Sequence, residues 1–92
     1  MDADLTLPLI VAGRDFADEM ADKLGDVTGR TIVVDATGLS SGTSSFAAEL
    51  VSRVLVRGQA RELSIVGAPV QFAEYAREAA TDAGVAESLA LT

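Results

Sequence analysis

Apolar and polar positions along this 92-residue chain change period several times, and each change marks an element. Apolar residues predominate from Leu5 to Val11, which predicts a strand, and Pro8, unable to donate to a ladder, assigns it to an edge or a strand end. From Arg14 to Leu24, Phe16, Met20 and Leu24 recur every four residues among acids, predicting an amphipathic helix closed at Gly25 or Gly29. Arg30 to Ala36 is continuously apolar at its centre, as a buried parallel strand is. A second helix is expected from about Ser44 to Arg57, with Phe46, Leu50, Val51, Val54 and Leu55 on one face and Gly58 as its stop. Glu62 to Val66 predicts a third strand. Pro69 suits the first turn of a third helix, in which Phe72, Ala73, Ala76, Ala79, Ala80 and Ala83 pack on the sheet before Gly84. Val85 to Leu91 is a tail with the pattern of a last strand.

Strands alternating with helices imply crossover units and a mainly parallel sheet. The expected fold is therefore α/β, ordered βαβαβα(β), a two- or three-layer sandwich on a four-stranded sheet. Neither a repeat nor a linker interrupts it, so residues 1–92 read as one domain.

Composition narrows the chemistry. Apolar residues make up 49% of the chain but aromatics only 4%, so Val, Leu, Ile and Ala must build the core. A domain this small buries only about two-thirds of its unfolded surface, which favours a shallow site over a deep cavity. Fourteen acids against seven bases give a net charge of −7, which repels nucleic acid and anionic membranes. With no His and no Cys, imidazole bases, thiol nucleophiles, thiolate zinc sites and disulfides are excluded. No catalytic residue, metal ligand or cofactor is expected. The acidic start Met1-Asp2-Ala3-Asp4 and the lack of a run of about 20 apolar residues predict a soluble cytoplasmic protein.

The candidate site lies between the second strand and the second helix. Asp35 ends the strand, where it can accept hydrogen bonds from the loop and orient it. Gly38-Leu39-Ser40-Ser41-Gly42 then leads to Thr43-Ser44-Ser45-Phe46 at the helix start. The loop departs from a phosphate-binding P-loop by one residue between the glycines and by the missing lysine. Bare helix amides still leave nucleotide or anion binding at residues 38–45 as one alternative. One of the three hydroxyls suffices for an N-cap, so at least one of Thr43, Ser44 and Ser45 is left exposed beside the positive helix end. A phosphate there would add about −1.5 to −2 charges without unfolding the helix. Gly38, Ser40, Ser41, Thr43 and Ser44, with Glu49, Ser52, Arg53 and Val56 off the apolar stripe, form the expected partner-binding face. Lys23, among Asp18, Glu19, Asp22 and Asp26, reads as a solvated helix face with a Glu19–Lys23 pair.

In this segment the chain resembles the STAS superfamily, the domain of anti-sigma factor antagonists and sulfate-transporter tails. Those domains carry a buried strand ending in Asp, a short loop, then Asp-Ser-Ser/Thr-Gly at a helix start. Register places Thr43-Ser44-Ser45-Phe46 on that tetrad and Ser44 on the phosphorylated serine; Thr43 stands for the Asp and Phe46 for the Gly. A bacterial STAS-like family of unassigned function is more similar still, through Arg14 with Ala17, Asp35, and Ser45-Phe46 with Glu49-Leu50. The similarity runs from about Leu9 to Leu91, including the tail from Ala83-Gly84-Val85 to Leu89. It implies a non-enzymatic regulatory module of a bacterial or phage cytoplasm. Its loop would contact a protein partner, an anti-sigma-factor-like kinase or another regulator, under control of phosphorylation at Ser44 or Ser45. Self-association through the small faces of Ala76, Ala79, Ala80 and Ala83 is the remaining alternative.

Overall fold

The computed structural model describes residues 2–92. In chain order its elements are β1 (Leu5–Thr6), β2 (Ile10–Val11), α1 (Arg14–Leu24), β3 (Thr31–Asp35), β4 (Ser41–Gly42) and α2 (Ser44–Val51). A π-helical turn (Ser52–Val56), β5 (Glu62–Val66), α3 (Val70–Asp82), a 3-10 turn (Ala86–Ser88) and β6 (Leu89–Leu91) follow. The order β1-β3-β5-β6 forms a four-stranded sheet in which every pairing is parallel. Its strands run across the sheet in sequence order, so right-handed crossovers put all three helices on one face. Burial agrees. Leu5, Ile32, Val34, Leu63 and Ile65, aligned across the registers, are buried, while the alternate residues Thr6, Thr31, Val33, Glu62 and Ser64 are not. Of the two expected layerings, the two-layer one is present.

The core consists largely of aliphatic residues, with the three phenylalanines set in a row through the helix layer. Phe46 on α2 lies 5.7 Å from Phe16 on α1 and 6.1 Å from Phe72 on α3, centroid to centroid. Both Phe46 and Phe72 are fully buried. No helix among the described residues is long and apolar enough to cross a membrane.

Three departures from the sequence pattern shape the site. The strand expected from Leu5 to Val11 is broken at Leu7-Pro8-Leu9: β1 pairs with β3, but β2 leaves the main sheet and pairs with β4 inside the expected loop. Proline's missing N–H ends one ladder, and the chain then opens another. The second helix turns π-helical at Ser52–Val56, where the Arg57 amide bonds to the Ser52 carbonyl. Its apolar pairs, 46/47, 50/51 and 54/55, recur every four residues. An α-helix would carry the third pair about 80° around from the first, and the wider turn returns Val54 and Leu55 to the core. On α3, Phe72, Ala76 and Ala80 are buried and Ala73 and Ala79 half-buried, but Ala83 lies past the helix end and is exposed, because the chain turns away at Gly84 with φ +75°.

Candidate functional site

The site occupies the rim where the strands reach their C-terminal ends. Asp35 closes β3, and its Oδ1 accepts the Thr37 N–H at 2.9 Å and the Thr37 hydroxyl at 2.6 Å. The Thr37 hydroxyl and then the Thr37 amide hold the carboxyl below its ordinary pKa. Asp35 thus has the loop-orienting position expected of it, with the carboxylate engaged by the loop it directs. Thr37 is in turn held by the β5–α3 connection: a Cβ at Gly67 would lie 2.5 Å from Thr37 Cγ2, so only glycine fits there, at φ +71°.

Beyond Leu39, which is buried, the loop is pinned to the broken first strand. The Ser40 and Ser41 amides both donate to the Leu9 carbonyl, at 2.7 and 3.2 Å, and the Thr43 amide donates to the Val11 carbonyl at 3.1 Å. Gly42 sits in this ribbon under the Phe72 ring, where a Cβ would approach the ring to 2.5 Å and Val11 Cγ2 to 2.9 Å. The absence of a side chain at Gly42 lets α3 close against β4.

Thr43 is the N-cap of α2. Its Oγ1 accepts the Phe46 N–H at 3.2 Å and the Gly13 N–H at 3.2 Å, joining the starts of α2 and α1. Ser45 Oγ lies 3.1 Å from the same atom. Ser44, the first residue of the helix, is exposed, and its hydroxyl has no hydrogen-bond partner within the described residues. Gly38, Ser40, Ser41 and Ser45 are exposed on the same rim.

The expected face of Glu49, Ser52, Arg53 and Val56 does not exist as one free surface. Arg53 reaches α1, donating to Asp18 at 3.0 Å and Asp22 at 2.5 Å, and Glu49 accepts from Arg57 at 2.6 Å. A shared hydrogen bond with Glu49 and then the Arg53 guanidinium hold Asp18 below the ordinary carboxylate range. Ser52 is half-buried, and exposed Val56 lies at the opposite end of the helix. Arg53 thus joins the second helix to α1, and the Glu49–Arg57 pair lies within the second helix. Lys23 makes no ion pair with Glu19 among the described residues; Asp22, expected on the solvated face, is used by Arg53.

Three rim residues escaped the sequence pattern. Leu9 is 64% exposed, Ile10 61% and Val70 77%, whereas the first two were expected within an edge strand from Leu5 to Val11. Leu9 and Ile10 flank the hydroxyl-bearing loop through the β2–β4 ribbon, and Val70 opens α3 just after the connection that holds Thr37 at Gly67. Pro8 was the available signal, since a break there frees the following residues from the sheet.

Compared with protein-family models, with curated proteins and with solved structures, the chain shows no match.

Proposed function

We propose that this is a non-enzymatic, STAS-like protein-binding module that uses the C-terminal rim of its sheet, Leu9, Ile10, Ser40, Ser41, Ser44 and Val70, to hold a protein partner. The observation that carries this reading is the grouping of exposed aliphatics. Single exposed apolar residues are ordinary, but of the four large exposed ones among the described residues Leu9 and Ile10 flank one polar loop and Val70 opens the helix that follows β5 at the same end of the sheet, the composition of an interaction patch. Hydroxyls and aliphatics suit recognition. The carboxylate nearest the loop, Asp35, is committed to Thr37.

Ser44 gives the rim a regulatory handle. Thr43 performs the capping, so a phosphate on Ser44 would leave the α2 cap in place and meet the positive end of the helix. The groove beside Ser44 holds no lysine or arginine to fold the phosphate inward. The added charge would therefore face the partner and change the affinity directly.

Capture from native-host extract onto immobilised wild type, Ser44→Ala and Ser44→Asp tests the switch. One specific protein retained by wild type and Ser44→Ala but lost from Ser44→Asp is the expected result. Equal retention on all three, with intact mass showing no phosphorylated form of the native protein, would remove the switch.

A further inference from the structure

We infer that the outer edge of β6 takes an extended segment of a protein partner as a fifth strand, one with aliphatic side chains at alternate positions and a carboxylate toward Arg77. The edge is a second surface, and its occupancy does not depend on what the rim holds. β6 is last in the sheet order, so one of its sides has no strand among the described residues. The Thr92 amide donates to the Ile65 carbonyl at 3.0 Å and the Thr92 carbonyl accepts the Gly67 amide at 2.8 Å, which turns the backbone groups of Thr92 toward β5. Alternation then turns the Leu91 N–H and C=O and the Leu89 C=O outward, while the Leu89 N–H is given to the Ala86 carbonyl. One donor and two acceptors in strand conformation are left without a strand. The opposite edge is closed sooner: β1 is two residues long and Pro8 follows it. Leu89-Ala90-Leu91 has neither the lysine nor the proline that commonly blunts an edge.

The side chains beside this edge are as incomplete as its backbone. Leu89 and Leu91 lie in register with Leu63 and Ile65 and share their helix-covered face, yet the inner pair is fully buried and the outer pair only half-buried. Next to them opens a groove of about 420 Å³, walled by Arg77 and Thr81 of α3 and by Ala86. A fifth strand at the usual spacing of about 4.8 Å would send every second side chain into that groove and cover both leucines. The edge needs a backbone and the groove needs apolar side chains, so one extended segment meets both.

Charge narrows the segment. Arg77 is the one charged residue lining the groove, and it has no ion pair among the described residues. On a chain of net charge −7 it sets a positive point beside the edge, which favours an acid in the added strand. A second copy fits worse. Two β6 strands paired antiparallel about Ala90 would need both Leu89 amides, which the Ala86 turns hold, and residues 89–91 bring no acid to Arg77.

A short peptide alternating valine with threonine and carrying glutamate at both ends tests the edge when titrated into ¹⁵N-labelled full-length protein. It is expected to shift the amides of Arg77, Thr81, Leu89 and Leu91, and at saturation to slow hydrogen exchange at Leu91 about tenfold or more. The same peptide ending in lysines should bind about threefold or more weakly, a preference that Arg77→Glu reverses and Arg61→Glu keeps. Backbone N-methylation separates strand addition from apolar contact alone. Only alternate amides of an added strand face β6, so methylating one set, the valine or the threonine amides, should abolish binding while methylating the other leaves it. No shifts, shifts centred on Leu9, Ile10 and Ser44, equal effects of the two methylated sets, or an Arg77→Glu variant that still prefers glutamate would overturn the assignment. So would concentration-dependent shifts of the β6 amides without peptide, since a second copy would then hold the edge.

Discussion

Three consecutive hydroxyls at the start of α2 have three different fates, and the rim depends on that division. The Thr43 hydroxyl caps the helix and holds the Gly13 amide, Ser45 leans on Thr43, and Ser44 is left to solvent. Sequence alone required one cap and at least one free hydroxyl, but could not allot them, because the choice depends on where Gly13 lies, 30 residues earlier in the chain. Thr43→Ala should lower stability by about 1 kcal/mol, with Thr43→Ser retaining most of it, whereas Ser44→Ala should stay within about 0.5 kcal/mol of wild type. Urea midpoints at constant slope are the measurement. A larger loss at Ser44 than at Thr43 would reverse the assignment of the cap.

At the level of elements, period was legible and phase was not. Strands β3 and β5, and helices α1 and α3, fall where their apolar repeats put them, and the tail supplies β6. The first strand fails because Leu9 and Ile10 carry strand-like side chains, while their pairing is decided by Pro8 and by a two-residue partner, Ser41–Gly42, that has no apolar signal. The four-residue spacing of apolar pairs on α2 did contain the π-turn, since it runs slower than 3.6 residues per turn. Arg53 and Glu49 were misplaced for a related reason: a helix stripe tells which residues avoid the sheet, but not which of them a neighbouring helix will claim. Gly42 is the tightest joint between elements. Gly42→Ala should cost about 1–3 kcal/mol by overpacking against Phe72, read as a lowered thermal midpoint, and an unchanged midpoint would show that α3 can yield without loss.

For the whole molecule, one covered sheet face and one open rim separate the part that holds the fold from the part proposed to bind. The helices and the phenylalanine row hold the fold, and the residues assigned to the partner are exposed ones whose replacement leaves that core alone. Acid is where the two parts meet. Asp18, Asp26 and Asp35 all sit below their ordinary pKa, through Glu49 with Arg53, through Thr28 and through Thr37 respectively. A depressed folded pKa contributes stability that is complete above the unfolded value, about 3.9, and is lost as pH falls through it toward the folded value. With no histidine in the chain, the urea midpoint should be level from about pH 8 to about pH 5 and fall below about pH 4, less steeply in Asp35→Asn. A decline beginning near neutral pH would contradict that origin.

The rim itself is tested most directly by titrating the captured partner against wild type and against Leu9→Ser with Ile10→Ser, after thermal midpoints confirm that both are folded. Loss of two exposed aliphatics from a working interface should weaken binding about tenfold or more while moving stability by no more than about 0.5 kcal/mol. Equal affinity of the two proteins for that partner would mean that the rim is not where this chain binds.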